Sequence, residues 1–299
     1  MLKRNKFNAQ LGIQTVAAML RAVSWAVRGF HCASVPLSAR MYSQTVDNSH
    51  SLAGKVTVIT ESSKGTGLAV AWRLAQDGTH VVTSRWKQQN VDRAVTALRE
   101  EGLSVIGTVC HVGKAEDRER LVGTALEPSG GIDILVCAAG VNPLVGSTLG
   151  ASEQIWDKIL NVNVKSLALL LSRLLPYMEN QQGSSVVLVS SMVSYVPIPK
   201  LGVCNTSKTA LLGLCKSLAI VLAPKGIGVN YLAPGIIKTN FVQMEKTLPF
   251  LLPDFNDLYR LQRFGEPEQC TGIVSFLCSS DASYIIGENV VVAIYSPKL

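Results

Sequence analysis

Seven short apolar runs, separated by segments of helical spacing, limit what this chain can fold into. They are KVTVIT (55–60), HVVTS (80–84), SVIGTVCHV (104–112), IDILVCAAG (132–140), SSVVLVSS (184–191), GIGVNYLAPG (226–235) and NVVVAI (289–294). Strands whose apolar residues run on without polar alternation are buried on both faces, as in a parallel sheet covered by helices on each side. The segments near 67–78, 90–101, 114–127, 152–180, 205–223 and 266–279 read as those helices. The alternation predicts a single Rossmann-type α/β domain, doubly wound around a seven-stranded parallel sheet. Right-handed crossovers then gather the loops that follow the strands at one edge, where ligands bind. No internal repeat and no linker rich in Pro, Gly or Ser divides the region from Leu52 to Leu299.

With 47% hydrophobic and 16% charged residues, the body has enough apolar material for a sizeable core. The net charge of +7 is concentrated at the start. Lys3, Arg4, Lys6, Arg21, Arg28 and Arg40 stand against Asp47 alone, which leaves +5 in residues 1–50 and +2 in the other 249. A nearly neutral body without a clustered basic face argues against nucleic-acid binding. The basic, acid-free segment 1–42 reads as a mitochondrial transit peptide with cleavage after Tyr42, and 43–51 as a linker. Arg21 interrupts its apolar stretch, so it neither spans a bilayer nor forms a secretory signal. The C-terminal Pro297-Lys298-Leu299 is a weak peroxisomal address, and a nuclear or cytosolic location also stays open. The seven cysteines are scattered, no CxxC pair occurs, and the four histidines lack ligand spacing. They read as buried free thiols in a reducing compartment, without a metal site.

Directly after the first strand comes TESSKGTGLAV (60–70). Glycines between a strand and the helix that follows allow the backbone to approach a pyrophosphate, whose charge the helix N-terminus stabilises. Lys64 lies inside this turn and Arg85 follows the second strand, where an acid would otherwise accept the adenosine ribose hydroxyls. Positive charge at both places favours NADP(H) over NAD(H).

The motifs TESSKGTG, CAAG (137–140), NVN (161–163), SS (190–191), CNTSK (204–208) and PGIIKT (234–239) together resemble the short-chain dehydrogenase/reductase family over roughly Leu52–Leu299. Longer runs such as SEQIWDKIL and GIVSFLCSSDASY are similar to its mitochondrial and peroxisomal NADPH-dependent carbonyl reductases. The resemblance implies NADP(H) held by Thr60, Ser62, Lys64, Gly65, Gly67, Arg85, Ala138, Gly140, Lys208, Pro234, Gly235 and Thr239. It implies a catalytic tetrad of Asn, Ser, Tyr and Lys, mapped onto Asn163, Ser191, the position of Cys204, and Lys208. In that tetrad the tyrosine gives a proton to the carbonyl oxygen. The lysine lowers the tyrosine pKa and holds the nicotinamide ribose. The serine hydrogen-bonds the developing oxyanion, and the asparagine anchors a water. A small carbonyl substrate and a homodimer or homotetramer, built through the helices near 152–180 and 205–223, follow from the same resemblance.

Two departures bear on chemistry. Cys204 stands where the family carries its tyrosine, and a cysteine sulfur stops several ångströms short of a phenol oxygen. Losing a positioned general acid removes about 10² to 10⁴ in rate. Tyr195 is a conceivable substitute donor, though it reads better as a wall residue. Glu61 replaces the first glycine of the turn, and a carboxylate beside the cofactor phosphates weakens binding. Cys137, in place of a family asparagine, is milder. VAIYSPKL, which lacks the usual glycines, puts the C-terminal subunit contacts in question. The apolar FVQMEKTLPFLLPDF within Phe241–Arg263 reads as a lid over the substrate. Three functions remain open from sequence: an impaired carbonyl reductase, a pseudoenzyme that binds nucleotide or a regulatory protein partner, and a redox-sensitive thiol at Cys204.

Overall fold

The computed structural model describes residues 52–239 and 263–294. The transit segment, the Tyr42 cleavage point, the linker, the lid apart from Arg263, and the C-terminal tripeptide lie outside the described residues. Strands β1 (Val56–Thr60), β2 (His80–Arg85), β3 (Val105–Val109), β4 (Ile134–Cys137), β5 (Ser184–Val189), β6 (Ile227–Pro234) and β7 (Asn289–Val292) form the expected sheet. Its order is β3-β2-β1-β4-β5-β6-β7, and every pairing is parallel. The chain winds outward from β1 in one direction and then resumes from β4 in the other. The switch point therefore falls between β1 and β4, whose ends are paired through Thr60 and Cys137. A crevice opens there because the connections leave in opposite directions.

Helices α1 (Gly65–Gln76), α2 (Gln88–Glu100), α3 (Ala115–Leu126), α4 (Glu153–Leu160), α5 (Ser166–Met178), α6 (Gly202–Leu222) and α7 (Thr271–Cys278) cover the sheet. Successive strand residues point to opposite faces, so each strand feeds two cores. Leu135 and Cys137 pack with Leu121, Leu170 and Leu211 of α3, α5 and α6. Ile134 and Val136 pack with Leu74 of α1 and Val274 of α7. This double burial explains why the strands carry unbroken apolar runs.

By length and composition alone, the helical runs Glu153–Met178 and Pro199–Lys225 could cross a membrane, with mean hydropathies of 1.3 and 1.4. Here Leu170, Leu174 and Met178 of α5, and Leu211, Cys215 and Leu222 of α6, are buried in the sheet-facing core. Their apolar character is that of core helices.

The structure also corrects several boundaries. The helix expected over 152–180 is interrupted by one wide turn, Asn161–Lys165, whose hydrogen bonds span five residues. Such turns insert an extra residue and are frequent at functional sites. Helix α6 begins at Gly202, so Cys204 lies in its first turn. Strand β4 stops at Cys137 because the next two amides, of Ala138 and Ala139, turn onto the Thr60 hydroxyl at 3.1 and 3.0 Å. Beyond β3, the His111 amide leaves the ladder for the Asp117 carboxylate at 2.7 Å.

Candidate active site

The first wall of the crevice is the turn between β1 and α1. Gly67 packs so closely that a Cβ there would stand 2.5 Å from the Glu61 carbonyl oxygen and 3.1 Å from the Ser62 Cα. Gly65 adopts φ +56°, and a Cβ there would meet the Thr239 methyl at 3.0 Å. Helix α1 starts without an acidic residue in its first turn and without a side-chain cap on its amides. An uncapped N-terminus of this kind attracts anions. The turn is pinned from behind. The Ser62 hydroxyl donates to the Ile59 carbonyl at 2.8 Å, accepts from the Ser84 amide at 3.1 Å, and touches the Thr83 hydroxyl at 2.7 Å.

The second wall comes from β4, β5 and α6. The turn Asn161–Lys165 aims Asn163 inward, where its Oδ1 accepts from the Val141 amide at 2.8 Å. Its Nδ2 donates to the Val141 carbonyl at 3.1 Å and to the Ser207 hydroxyl at 3.0 Å. A methyl on Gly140 would lie 3.3 Å from Lys208 Nζ and 3.7 Å from Asn163 Oδ1, so glycine lets that loop close over both. After β5, Ser191 caps a short turn, its hydroxyl accepting from the Val193 amide at 3.3 Å.

These elements enclose one cavity of about 320 Å³. Of the sequence-derived candidates, Lys64, Gly65, Gly67, Arg85, Ala138, Gly140, Ser191, Cys204, Lys208, Pro234, Gly235 and Thr239 line it, and so does Glu61. Thr60, Ser62 and Asn163 do not line it; they bind the backbone that does. Tyr195 is also outside the lining. It packs against the α5–α6 core, and burial pushes its hydroxyl up to about 12.

Cys204 and Lys208 are one helical turn apart on α6, both buried. Burial pushes the Cys204 thiol up, and the Lys208 charge only partly opposes this. Burial pulls the Lys208 ammonium below its ordinary value, with Cys204 acting in the opposite sense. The sulfur is thus held as a protonated thiol, which is poor ground for a reactive thiolate.

Sequence reasoning missed the frame beneath these residues. Tyr231 of β6 is wholly buried. Its hydroxyl pairs with that of Ser194 and lies 3.3 Å from the Lys208 carbonyl. Ser194 donates to the Ser191 carbonyl at 2.7 Å, and the Thr209 hydroxyl donates to the Ser194 carbonyl at 3.1 Å. Together they fasten the serine loop to the turn of α6 that bears Lys208. A tyrosine within the apolar run 226–235 was the only hint.

The cavity also suits a dinucleotide: close-approach glycines and an open helix N-terminus at one end, a buried lysine and a serine hydroxyl at the other. One orphan acceptor, Asn142 Oδ1, is buried in its wall without a hydrogen-bond partner among the described residues.

Comparison with known proteins points the same way. A family model described as enoyl-(acyl carrier protein) reductase matches residues 61–293. The human protein named dehydrogenase/reductase SDR family member 2, mitochondrial, is 60% identical over 281 residues, covering 94% of this chain and 100% of that protein. The pig dehydrogenase/reductase SDR family member 4 is 56% identical over 264 residues, covering 87% and 94% respectively. The crystal structure of a dehydrogenase/reductase from Sinorhizobium meliloti 1021 superposes with a TM-score of 0.76 at 25% identity, over 84% of this chain and 98% of that one. The shared fold, the glycine turn and the serine–lysine wall, matched by relatives along almost the whole length, make this chain a member of the short-chain dehydrogenase/reductase family.

Proposed function

We propose that the protein is a nicotinamide-dinucleotide-dependent carbonyl reductase that reduces small ketones and dicarbonyls slowly. The observation that carries this reading is the lining of one cavity by the glycine turn, Lys64, Arg85, Ser191 and Lys208, with a thiol at the acid position. When bound, the dinucleotide supplies the hydride. The chain's own residues do the rest. The turn at Gly65–Gly67 and the start of α1 receive the pyrophosphate. Lys64 and Arg85 offer positive charge to a 2′-phosphate. Ser191 donates to the carbonyl oxygen as it gains charge. Lys208 orients the nicotinamide ribose and biases the neighbouring proton donor. Cys204 holds a proton but stops short of the oxygen, so a water must bridge the gap.

Calorimetry with NADPH and steady-state reduction of a dicarbonyl test this reading. Measurable binding with slow turnover is expected. That turnover should decline as pH rises through the lowered Lys208 value, below the 10.5 of an ordinary lysine, because the cation is lost there. Rapid turnover by the natural protein would refute the assignment of Cys204 as a defect. Binding without any turnover would instead favour a nucleotide-binding regulator.

Subunit pairing through α5 and α6 is supported by Leu169, Ile220 and Val221, which are exposed on those helices. Import into mitochondria is supported by the basic segment 1–42, and the human relative is itself named as mitochondrial. N-terminal sequencing of the protein from tissue should begin at Ser43, and a start at Met1 would exclude cleavage.

A further inference from the structure

Among the described residues, Glu61 is the only non-glycine at positive φ, at +56°. A left-handed backbone disfavours residues other than glycine, so a glutamate here is a strained and unusual choice. Its carboxylate faces Arg85: Glu61 Oε2 lies 3.5 Å from the guanidinium Nε, an ion pair without a hydrogen bond, and both side chains are about one-fifth exposed. The pair lines the cavity at the end of β2, where nucleotide-binding α/β folds read the adenosine ribose. Among the described residues, the other polar side chain Arg85 reaches is Ser63, whose hydroxyl lies 3.5 Å from its Nη1.

Two readers of that ribose ordinarily exclude each other. An acidic side chain accepts the 2′-hydroxyl of NAD(H), whereas an arginine accommodates the 2′-phosphate of NADP(H). This chain has both, the arginine from β2 and the carboxylate from the end of β1. A 2′-phosphate that approaches Arg85 must displace the Glu61 carboxylate or lie against it, and either is unfavourable in a partly desolvated cleft. A 2′-hydroxyl meets no such conflict and gains an acceptor.

We infer that Glu61 is a specificity-determining residue: by occupying Arg85, it cancels the preference for NADP(H) and lets the site take NADH about as well as NADPH. This role rests on the reading that the cavity holds a nicotinamide dinucleotide. It concerns the adenosine end alone and is independent of Cys204.

The test is calorimetry on the natural protein, Glu61→Gln and Glu61→Gly, with NADPH, NADH and adenosine 2′,5′-bisphosphate as probes. Glu61→Gln keeps the side-chain length and the left-handed backbone but removes the charge. It should tighten NADPH and the bisphosphate by about 10- to 100-fold and change NADH by less than about threefold. Glu61→Gly should reproduce that selective gain. An equal gain for both dinucleotides, or a gain with glycine but none with glutamine, would mean that turn shape and not charge is at issue, and would overturn the inference while leaving the reductase reading intact. A natural protein that already prefers NADPH by more than about 100-fold would overturn it as well. Failure of all three proteins to bind any probe would remove both readings together.

Discussion

Cys204→Tyr should raise dicarbonyl reduction by about 10²- to 10⁴-fold over the natural protein, the usual worth of a positioned general acid. The geometry supports a gain of that size. Residue 204 lies in the first turn of α6, four residues before Lys208, and both line the same cavity as Ser191. Residue 204 borders a cavity of about 320 Å³, which offers space for a phenol. The Lys208 cation lowers the pKa of an adjacent phenol, and its hydroxyl reaches several ångströms beyond where the sulfur ends. The gain should appear in kcat, with the nucleotide affinity nearly unchanged, because the new contact is made only as the proton moves. A companion variant sharpens the result. Cys204→Ala should leave the slow rate within about threefold, since a protonated thiol out of reach contributes little to general acid catalysis. A large loss on removing the sulfur, or rapid natural turnover with no gain on adding the phenol, would overturn the reading of Cys204 as a defect.

Gly67→Ala should cost roughly 1–3 kcal/mol of turn stability, the range for forcing a methyl group into a packed site. The added Cβ would lie 2.5 Å from the Glu61 carbonyl oxygen, a backbone atom that cannot swing aside as a side-chain tip could. The turn must open, and the amides at the start of α1 move with it. Dinucleotide affinity should therefore fall by about 10- to 100-fold, at about 1.4 kcal/mol per factor of ten. Gly123 is the matched control. It is exposed on α3, and a Cβ there would meet nothing within 4 Å. Gly123→Ala should be neutral or stabilising by up to about 1 kcal/mol, because alanine restricts the unfolded chain. Calorimetric affinity and thermal unfolding of both variants decide the matter. Equal behaviour of the two would remove the close-approach role given to Gly67.

The sheet was legible because doubly buried strands need apolar residues in succession, and such runs stand out between helical segments. Their ends were not. Cys137, Ala138 and Ala139 continue the apolar run, yet the ladder stops where the Thr60 hydroxyl captures two amides, an event set by a residue nearly eighty positions away. The break in the helix over 152–180 was hidden for a similar reason. NVNVK carries no glycine or proline to mark a break, and the wide turn is stabilised by what Asn163 finds on the neighbouring loop and on α6.

In the site, the motif residues that line the cavity could be named through the family resemblance. Their supports could not. The resemblance implied Ser62 as a cofactor contact, but both its hydrogen and its oxygen serve the join between β1 and β2. Glu61 was recognised as a charge problem without its direction. Only the left-handed backbone and the Arg85 partner show which way it faces.

The bracing that runs from Tyr231 through Ser194 to the backbone of Ser191 and Lys208 touches neither Cys204 nor any other atom that would meet a substrate. The residue 204 side chain therefore lies outside the atoms that supply this bracing. A lineage can exchange the proton donor at residue 204 without loosening the architecture around it, so a chain of this kind can drift in and out of competence while remaining soundly folded, one codon from recovery.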